Sequence, residues 1–583
     1  MRDLRRVALI AATAVTLAAG MVGCGVSTSD PIDIGDGIAP AGPRTGGDGP
    51  PTEDKATLPL EQVTNYLAAA AEGGVDPPVF RMSKFLTPNA NQTVLAGVDR
   101  QSTPNPTVIR VLGRPVVAQA PGDPRTAVDV RYEVVGTLND QGRVNELSEA
   151  SVDTMRFWVE NGRVRIDQID GAPAPIMISD AALREFYDVQ PIYFWDATDS
   201  TLVPDIRYIP TSLTADARAA RVVQWLTQGP SGWLSGVKAL RGAPTVKSQV
   251  LIKDGKVRVN LTTDAGLGGQ PAVLRLYHQL QWSLQTGAGP AQVELSIDDK
   301  VVTNLGGVTD YLISNQSYSQ SRTGQKYDIV ESKVLALSVG VQPAVLGNTQ
   351  NAGVNYAAVN RNATVVALVT RVGQSQSTSK LQLIRDGGQA ATVVSGLPTV
   401  GMQRPAWVYG DLLLVPAGGR LWSVTAAGVP LDVTPSRVSN VSKVAVSPDG
   451  RRVAIIAAGQ VYVSTLTVGE TGVTVGPNVR QILAGQVTAA GVGWASEGWL
   501  YVAGLSAAGA PALWRVTADG VIGDDRSAAA VGITPTDLVV YPTAPFAPNA
   551  NSPEVYLSAG AAVYLVQSEL TQDAKLRAPF FAL

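Results

Sequence analysis

The chain has 583 residues, with 46 lysines and arginines against 49 aspartates and glutamates, and a formal net charge of −3. This length exceeds what one hydrophobic core usually supports, so we expect several domains. The near-neutral balance, without a basic cluster, argues against nucleic-acid binding, while one cysteine and one histidine exclude internal disulfides and leave no ligand set for zinc.

Residues 1–23 have the layout of a secretory signal peptide. Arg2, Arg5 and Arg6 precede an uncharged apolar run from Val7 to Ala19. A run of about 13 residues is shorter than the roughly 20 that a membrane-spanning helix needs. The pattern therefore favours a cleaved signal peptide over a permanent helical anchor.

Cys24 is the only cysteine, and it directly follows this segment. The residues before it resemble the lipobox of bacterial lipoproteins: Gly23 is small, and Met21 stands at the position where leucine is commonest in that motif. The resemblance implies cleavage before Cys24, an S-diacylglycerol on its sulfur and an N-acyl chain such as palmitate. Two acyl chains anchor a protein stably, so we predict attachment to the extracytoplasmic face of the cell membrane. The alternative is a plain secreted protein whose cysteine happens to lie near the cleavage site.

Residues 24–52 are predicted to form a flexible linker that starts at the lipidated cysteine. This segment is rich in glycine, proline and aspartate and contains few large apolar residues. Treated as a flexible coil, about 27 residues span roughly 30 Å on average. The folded part can therefore reach a neighbouring protein in the membrane.

Residues 53–178 are predicted to form an α+β domain. Thr57 is placed to cap a first helix, and a second short helix is expected over Arg81–Leu86. Among the alternating runs that follow, Met155–Val159 and Val164–Ile169 are joined by an Asn-Gly pair typical of a hairpin. The order of elements is similar to the nuclear-transport-factor (NTF2-like) fold, and we interpret this domain as a spacer or docking module.

Residues 179–318 are predicted to form a second α+β domain. Helices are expected over Asp216–Thr227 and Pro271–Leu284, with a hairpin at Asp254–Leu261 (DGKVRVNL) and a strand over Val293–Ile297. These segments, together with the motif VELSIDDK, resemble the GerMN domain of envelope proteins. The resemblance implies a fold and an envelope setting, but no reaction.

Residues 319–583 repeat with a period of about 40 to 50 residues, which is typical of a β-propeller. Strand pairs are predicted to begin near Thr364, Asp411, Arg452, Trp499 and Glu554. They predict five blades, and a sixth is expected to form from Lys333–Val341 and the C-terminal residues. The motif Ser447-Pro448-Asp449-Gly450 predicts a tight turn, because proline presets φ and glycine accepts a positive φ.

Candidate chemistry is sparse, and we predict no catalytic residue, metal site or cofactor. A Gly-x-Ser-x-Gly nucleophile motif and a phosphate-binding loop are both absent from the sequence. His278 lies at the edge of a predicted apolar stripe, so we interpret it as a packing residue. That stripe consists of Leu274, Tyr277, Leu280, Gln281 and Leu284. The recurring tryptophans are predicted to fill space between blades: Trp407, Trp422, Trp494, Trp499 and Trp514.

The order of signal peptide, lipobox, linker, α+β domain, GerMN domain and propeller resembles the LpqB family of actinobacterial lipoproteins. That resemblance implies binding to the extracytoplasmic domain of a sensor histidine kinase of the MtrB type. It also implies modulation of the MtrA/MtrB two-component system, which controls cell wall homeostasis and cell division. The alternative is a protein that binds, or hydrolyses, cell-wall glycan or peptidoglycan with the propeller face.

Overall fold

The computed structural model describes residues 49–582 except for a set of short segments. The excepted segments are 53–55, 104, 120–121, 146–151, 264–267, 286–290, 306–324, 338–349, 374–376, 386–390, 409–411, 426, 470–471, 544–552 and 568. Cys24, the predicted signal peptide and the linker up to residue 48 lie outside the described residues. The predicted domain boundary between residues 318 and 319 lies outside them as well.

Helices and one large sheet form the N-terminal domain. The helices are Pro59–Ala69, Pro78–Ser83, Pro88–Val94 and Asp180–Phe186. Three of them begin at proline, whose φ is already helical and whose missing N–H is not needed in the first turn. The strand order is Ile166–Asp170, Val152–Glu160, Arg125–Leu138, Thr107–Val111 and Met177–Ser179, and the strands Val116–Gln119 and Val144–Asn145 also pair with Arg125–Leu138.

Two predictions for this domain are wrong in detail. Leu58 occupies the N-cap position of the first helix without a side-chain capping hydrogen bond, and the backbone N–H of Thr57 donates to Glu61 Oε2 at 3.1 Å. The second helix is Pro78–Ser83, not Arg81–Leu86, because proline opens the helix earlier and Leu86 forms a β-bridge with the sheet.

The predicted hairpin of this domain is confirmed. Val152–Glu160 pairs antiparallel with Ile166–Asp170, and Met155, Phe157 and Val159 are buried at every second position. The likeness of the whole domain to the nuclear-transport-factor fold stays a prediction.

The middle domain has its elements close to the predicted bounds. Its helices are Ala215–Thr227 and Gln270–Ser283, and its sheet strands are Thr245–Val246, Leu251–Lys253, Lys256–Thr262, Val293–Ile297 and Lys300–Val301. Thr214 caps the first helix by accepting a hydrogen bond from Ala217 N at 3.3 Å. Lys256–Thr262 pairs in parallel with Val293–Ile297, and the second helix connects these two strands.

The buried face of helix Gln270–Ser283 differs from the predicted stripe. Ala272, Leu276 and Leu280 face the core of the middle domain, whereas Leu274 and Tyr277 are only partly buried. Gln279, Trp282 and Ser283 are buried on another side of the helix. Leu280, Gln281 and Leu284 of the predicted stripe are buried, but a search for one stripe missed the second buried side because the helix is covered on two sides.

A two-stranded hairpin, here called the central hairpin, consists of Tyr187–Trp195 paired with Leu202–Pro210. All nine residues of Leu202–Pro210 are buried. Ile192 and Phe194 belong to the core of the middle domain, whereas Ile206 and Tyr208 belong to the core of the N-terminal domain. The central hairpin therefore joins the two cores.

The C-terminal part of the chain folds into six small sheets, counted within the described residues. Blade 1 contains Val354–Val359, Val365–Arg371, Ser379–Arg385 and Thr392–Val393, and blade 2 contains Ala406–Trp407, Leu413–Ala417, Arg420–Val424 and Pro430–Asp432. Blade 3 contains Val441–Val446, Arg452–Ala457, Gln460–Gly469, Gly472–Val475 and Arg480–Ile482. Blade 4 contains Val487–Trp494, Trp499–Ser506, Pro511–Thr517 and Gly523–Asp525, and blade 5 contains Asp537–Tyr541, Glu554–Ala559, Ala562–Val566 and Leu570–Gln572. The closing blade contains Lys326–Val330, Lys333–Ala336 and Phe580–Phe581.

The six sheets form a closed ring. The first strands of blades 1 to 5 contact one another in chain order, and Phe580–Phe581 contacts the first strands of blades 5 and 1. Phe580–Phe581 also pairs with Lys326–Val330, so the two ends of the propeller sequence share one sheet. The predicted sixth blade, built from both ends, is therefore confirmed.

The strand pairs predicted in the repeats are confirmed, but each pair supplies the second and third strands of its blade. The sequence pattern missed the first strands, which line the axis of the ring, and also the short outer strands of the blades. Ala406–Trp407 has only two residues, too few to show a strand pattern. The predicted turn at Ser447–Gly450 is confirmed, with Gly450 at φ +66° and its N–H donating to Ser447 O at 2.8 Å.

Candidate functional site

The first strands of the blades surround a cavity of about 140 Å³ in the centre of the ring. Small and apolar residues form most of its wall, among them Ala357, Val359, Ala406, Val444, Val492, Leu538 and Phe580. The polar side chains of the lining are Asn360, Arg361, Arg404, Trp407, Ser447 and Trp494. Among the described residues that line the cavity, none is an aspartate or a glutamate.

Three charged residues, here called the channel cluster, meet at the start of the first strands. Arg404 Nη2 lies 3.2 Å from Asp537 Oδ2, and Lys443 Nζ contacts the other carboxylate oxygen. Burial alone raises the pKa of the Asp537 carboxyl, but Arg404 and Lys443 outweigh burial and hold this pKa below its usual range. Two cations against one carboxylate leave the channel cluster with one surplus positive charge.

The propeller contacts the middle domain through a buried ion pair next to the turn at Ser447–Gly450. Arg451 Nε donates to Asp196 Oδ2 at 2.7 Å, and the two side chains are 6% and 5% exposed. Asp196 Oδ1 accepts a hydrogen bond from Ser200 N at 2.8 Å. Burial raises the pKa of Asp196, but Arg451 and these hydrogen bonds outweigh it, so the pKa lies below its ordinary value.

Blade 4 contacts the central hairpin through two buried tyrosines. Tyr193 Oη donates to Glu497 Oε2 at 3.0 Å, and Tyr208 Oη donates to Asp519 Oδ1 at 2.9 Å. Burial, and then the neighbouring carboxylate, raises the pKa of each tyrosine well above its ordinary value. Both phenols therefore stay protonated and keep donating to the propeller.

The N-terminal domain reaches the same blade with Arg110. Its Nη1 lies 2.7 Å from Glu133 Oε2, and its Nη2 donates to Val521 O at 3.1 Å. Burial raises the pKa of Glu133 although Arg110 opposes this effect. The contacts Asp196–Arg451, Tyr193–Glu497, Tyr208–Asp519 and Arg110–Val521 are here called the junction. They hold the propeller against both other domains.

The predicted site residues fall into two groups. Cys24 lies outside the described residues, so its lipidation stays a prediction. His278 is half-buried on helix Gln270–Ser283, and burial lowers its pKa. Trp407 and Trp494 are buried in cores that each span two blades, as predicted, whereas Trp422, Trp499 and Trp514 are partly buried. The described part of the chain holds no group of three His, Cys, Asp or Glu side chains suited to a metal ion.

Sequence reasoning missed every residue of the junction. Glu497 and Asp519 each precede a glycine in a turn between strands, a pattern that ordinarily indicates only a solvent-exposed turn. Arg451 follows such a turn too. No periodic pattern distinguishes a polar turn that packs against another domain from one that faces water.

No helix in the described ranges combines the length and the apolar character needed to cross a bilayer.

Two family models match the chain over adjoining regions. Residues 191–303 match the Germane model, described as sporulation and spore germination. Residues 300–542 match the model described as the lipoprotein LpqB β-propeller domain. The first region begins in the central hairpin and covers the middle domain, and the second covers blades 1 to 4 and the start of blade 5.

Curated relatives match over more than half of the chain. Lipoprotein LpqB of Corynebacterium diphtheriae is 26% identical over 426 residues, covering 69% of this chain and 71% of the relative. Lipoprotein LpqB of Mycolicibacterium smegmatis is 25% identical, covering 62% of this chain and 66% of the relative, and that of Thermobifida fusca is 24% identical, covering 72% and 75%.

Solved structures match at low scores. TolB from Acinetobacter baumannii is 12% identical, with a TM-score of 0.31, over 44% of this chain and 66% of TolB. At such a score the propeller assignment rests on the sheet topology and on the family model. The two matched models, in their order along the chain, and the similar lipoproteins show that this chain belongs to the LpqB family of lipoproteins.

Proposed function

We propose that this protein is a docking protein held on the extracytoplasmic face of the cell membrane by lipid on Cys24. The lipobox-like sequence before Cys24 and the name lipoprotein carried by its relatives support the anchor. The proposal assigns no catalytic reaction and no cofactor to the chain. In it, Cys24 carries an S-diacylglycerol and an N-acyl chain, which together give stable membrane attachment.

Its proposed partner is the extracytoplasmic domain of a sensor histidine kinase of the MtrB type. Through this contact the protein modulates a two-component system that controls cell wall homeostasis and cell division. The observation that carries the proposal is the junction, which fixes three domains as one body. A body held in this way presents several recognition surfaces in a constant arrangement, so a contact at one domain also positions the others.

The lipid and the linker make weak docking effective. A linker of about 27 residues spans roughly 30 Å, which confines the folded body close to the membrane surface. Confinement by a short flexible linker corresponds to a local concentration in the millimolar range. Binding shifts the kinase between two states only by the difference between its affinities for those states.

A binding measurement with purified components tests this function. Residues 25–583, without lipid, are passed over the immobilised extracytoplasmic domain of the kinase, with the same domain of an unrelated kinase as control. Saturable binding to the first domain alone is expected. Equal binding to both domains, or to neither at millimolar protein, would contradict the proposal.

A second arm separates docking from a wall-directed activity. The same protein is incubated with purified cell-wall material, and soluble products are analysed. The docking proposal predicts neither enrichment on the wall nor release of fragments. Either result, obtained without the kinase domain, would replace docking with glycan or peptidoglycan binding or hydrolysis by the propeller.

A further inference from the structure

The wall of the propeller cavity contains two buried hydrogen-bond donors with no acceptor. Trp407 Nε1 and Arg404 Nε are both buried, and neither has a hydrogen-bond partner among the described residues. Both residues line the cavity, and Trp407 is only 5% exposed. Burying an N–H group without an acceptor is unfavourable, so two such groups on one cavity need an explanation.

The equivalent tryptophan of blade 4 shows that the missing acceptor is particular to Trp407. Trp407 pairs with Leu413 in its sheet, as Trp494 pairs with Leu500 in blade 4. Trp494 Nε1 donates to Ala445 O, in the first strand of the preceding blade, at 3.1 Å. Trp407 occupies the same place in its blade without this bond. The fold can therefore provide an acceptor for an indole at this position, but none of the described residues does so for Trp407.

The charge around the cavity indicates what kind of acceptor fits. Arg361 and Arg404 line the cavity, and no acidic residue does so among the described residues. The channel cluster adds one surplus positive charge, because Asp537 faces both Arg404 and Lys443. A negatively charged acceptor is therefore favoured over a neutral one.

The size of the cavity limits the rest of the ligand. Its volume of about 140 Å³ is close to the roughly 150 Å³ that holds one benzene molecule in an engineered protein cavity. The apolar part of the wall suits a small hydrocarbon group. The arrangement thus combines a place for a charged oxygen acceptor with a place for a short apolar body.

We propose that this cavity is a binding site for a carboxylate borne on a small apolar group, with Trp407 Nε1 and Arg404 Nε donating to its oxygens. Such a group is either a free acid or the C-terminal residue of a peptide. The site is independent of kinase docking, so failure of one proposal leaves the other standing.

Titration with benzoate, followed by calorimetry and by NMR of ¹⁵N-labelled indoles, tests the site. Benzoate is expected to bind and to shift the Trp407 indole resonance, whereas toluene, which lacks the carboxylate, is expected to bind at least tenfold more weakly. Acetyl-alanyl-alanine and its C-terminal amide form the peptide arm. If the dipeptide acid binds more tightly than benzoate and its amide does not bind, the natural ligand is the C-terminal end of a peptide. If the dipeptide acid binds more weakly than benzoate, the natural ligand is a free acid.

Conservative variants show whether the two donors are responsible. Trp407→Phe and Arg404→Lys each remove one donor while keeping the ring or the charge, and each should weaken benzoate binding about tenfold. Trp422→Phe is the matched control, because Trp422 Nε1 already donates to Ala417 O at 3.1 Å and Trp422 does not line the cavity. The proposal would be overturned if benzoate and toluene bound with equal affinity, or if both donor variants bound benzoate as tightly as the unchanged protein. It would also be overturned if benzoate did not bind and the cavity held only water.

Discussion

The junction and the channel cluster both contain charged residues of the propeller, but their charges are arranged differently. At the junction Arg451 pairs with Asp196, and the two side chains are 6% and 5% exposed. In the channel cluster Asp537 faces two cations, and its side chain is 20% exposed. The first arrangement neutralises its charge inside the protein, whereas the second leaves a positive charge beside a cavity.

This difference separates a contact that holds domains together from one that can still bind a ligand. In a buried pair of one carboxylate and one guanidinium the two charges neutralise each other, so the pair does not attract a charged ligand. Removing one partner of such a pair lowers the stability of the fold strongly. A partly exposed cluster with a surplus cation, next to unpaired N–H donors, has unused capacity for an anion. The four experiments below either break this contrast or make it sharper.

The largest effect is expected from Arg451→Ala at the junction. The substitution leaves the Asp196 carboxylate buried without its cation, which should lower the free energy of unfolding by about 3 kcal/mol. Denaturant unfolding of the purified protein measures this loss. Arg420→Ala is the matched control, since Arg420 is 59% exposed and pairs with Asp432 at the surface, and it should change stability by less than about 1 kcal/mol. Equal losses in the two variants would remove the special status of the junction.

Acid should weaken both sites, because the pKa values of Asp196 and Asp537 are lowered in the folded protein. A carboxyl with a lowered folded-state pKa contributes stability above its unfolded pKa, near 3.8, and loses that contribution as pH falls through the folded-state value. Asp196→Asn should therefore flatten the fall in stability below about pH 4. Thermal unfolding between pH 2 and pH 6 records the slope. An unchanged acid slope in this variant would show that Asp196 is not coupled to folding.

Asp537→Asn should have a smaller effect on stability than any change at the junction. Water reaches the channel cluster, so the loss is expected to be about 1 kcal/mol. The same substitution raises the positive charge beside the cavity, and benzoate should bind more tightly than to the unchanged protein. Chemical denaturation and calorimetry measure the two quantities. Weaker benzoate binding in this variant would contradict the charge argument.

The smallest effect is expected as a difference between two tryptophan substitutions in equivalent positions. Trp494→Phe and Trp407→Phe both remove one ring of a buried indole, which should cost a similar free energy of unfolding in each. Trp494→Phe also removes a hydrogen bond to Ala445 O, whereas the Trp407 N–H has no partner among the described residues, so Trp494→Phe should cost about 1 kcal/mol more than Trp407→Phe. Equal destabilisation by the two substitutions, measured by denaturant unfolding, would show that the Trp407 indole has an internal acceptor.

Repetition made the propeller predictable from the sequence. Each blade contributes a similar pair of apolar strands, so Val365–Arg371 and Ser379–Arg385 have counterparts in later blades. The closing blade was predictable because both ends of this region contain unpaired strand patterns. Short first strands such as Ala406–Trp407 could not be predicted, because their position depends on neighbouring blades rather than on a local sequence pattern.

The candidate sites were much harder to predict than the fold. The cavity arises where first strands from six sheets meet, and Arg404 and Asp537 lie far apart in the sequence. The junction joins Asp196 to Arg451 across 255 positions. Local sequence patterns carry no information about such pairs. Cys24 is the opposite case, because its predicted processing depends only on its immediate neighbours, Gly23 and Met21.

Crosslinking in intact cells tests most directly whether this protein acts as a lipid-held docking body. A photoreactive residue is placed in the extracytoplasmic domain of the kinase and captures proteins that bind there. One strain produces the unchanged protein, and the other produces the Cys24→Ala variant with a signal peptide that still directs its export. At equal amounts of exported protein, we expect the crosslinked yield to fall at least tenfold in the variant, because the local concentration is lost. An equal yield from freely shed Cys24→Ala protein would contradict the account.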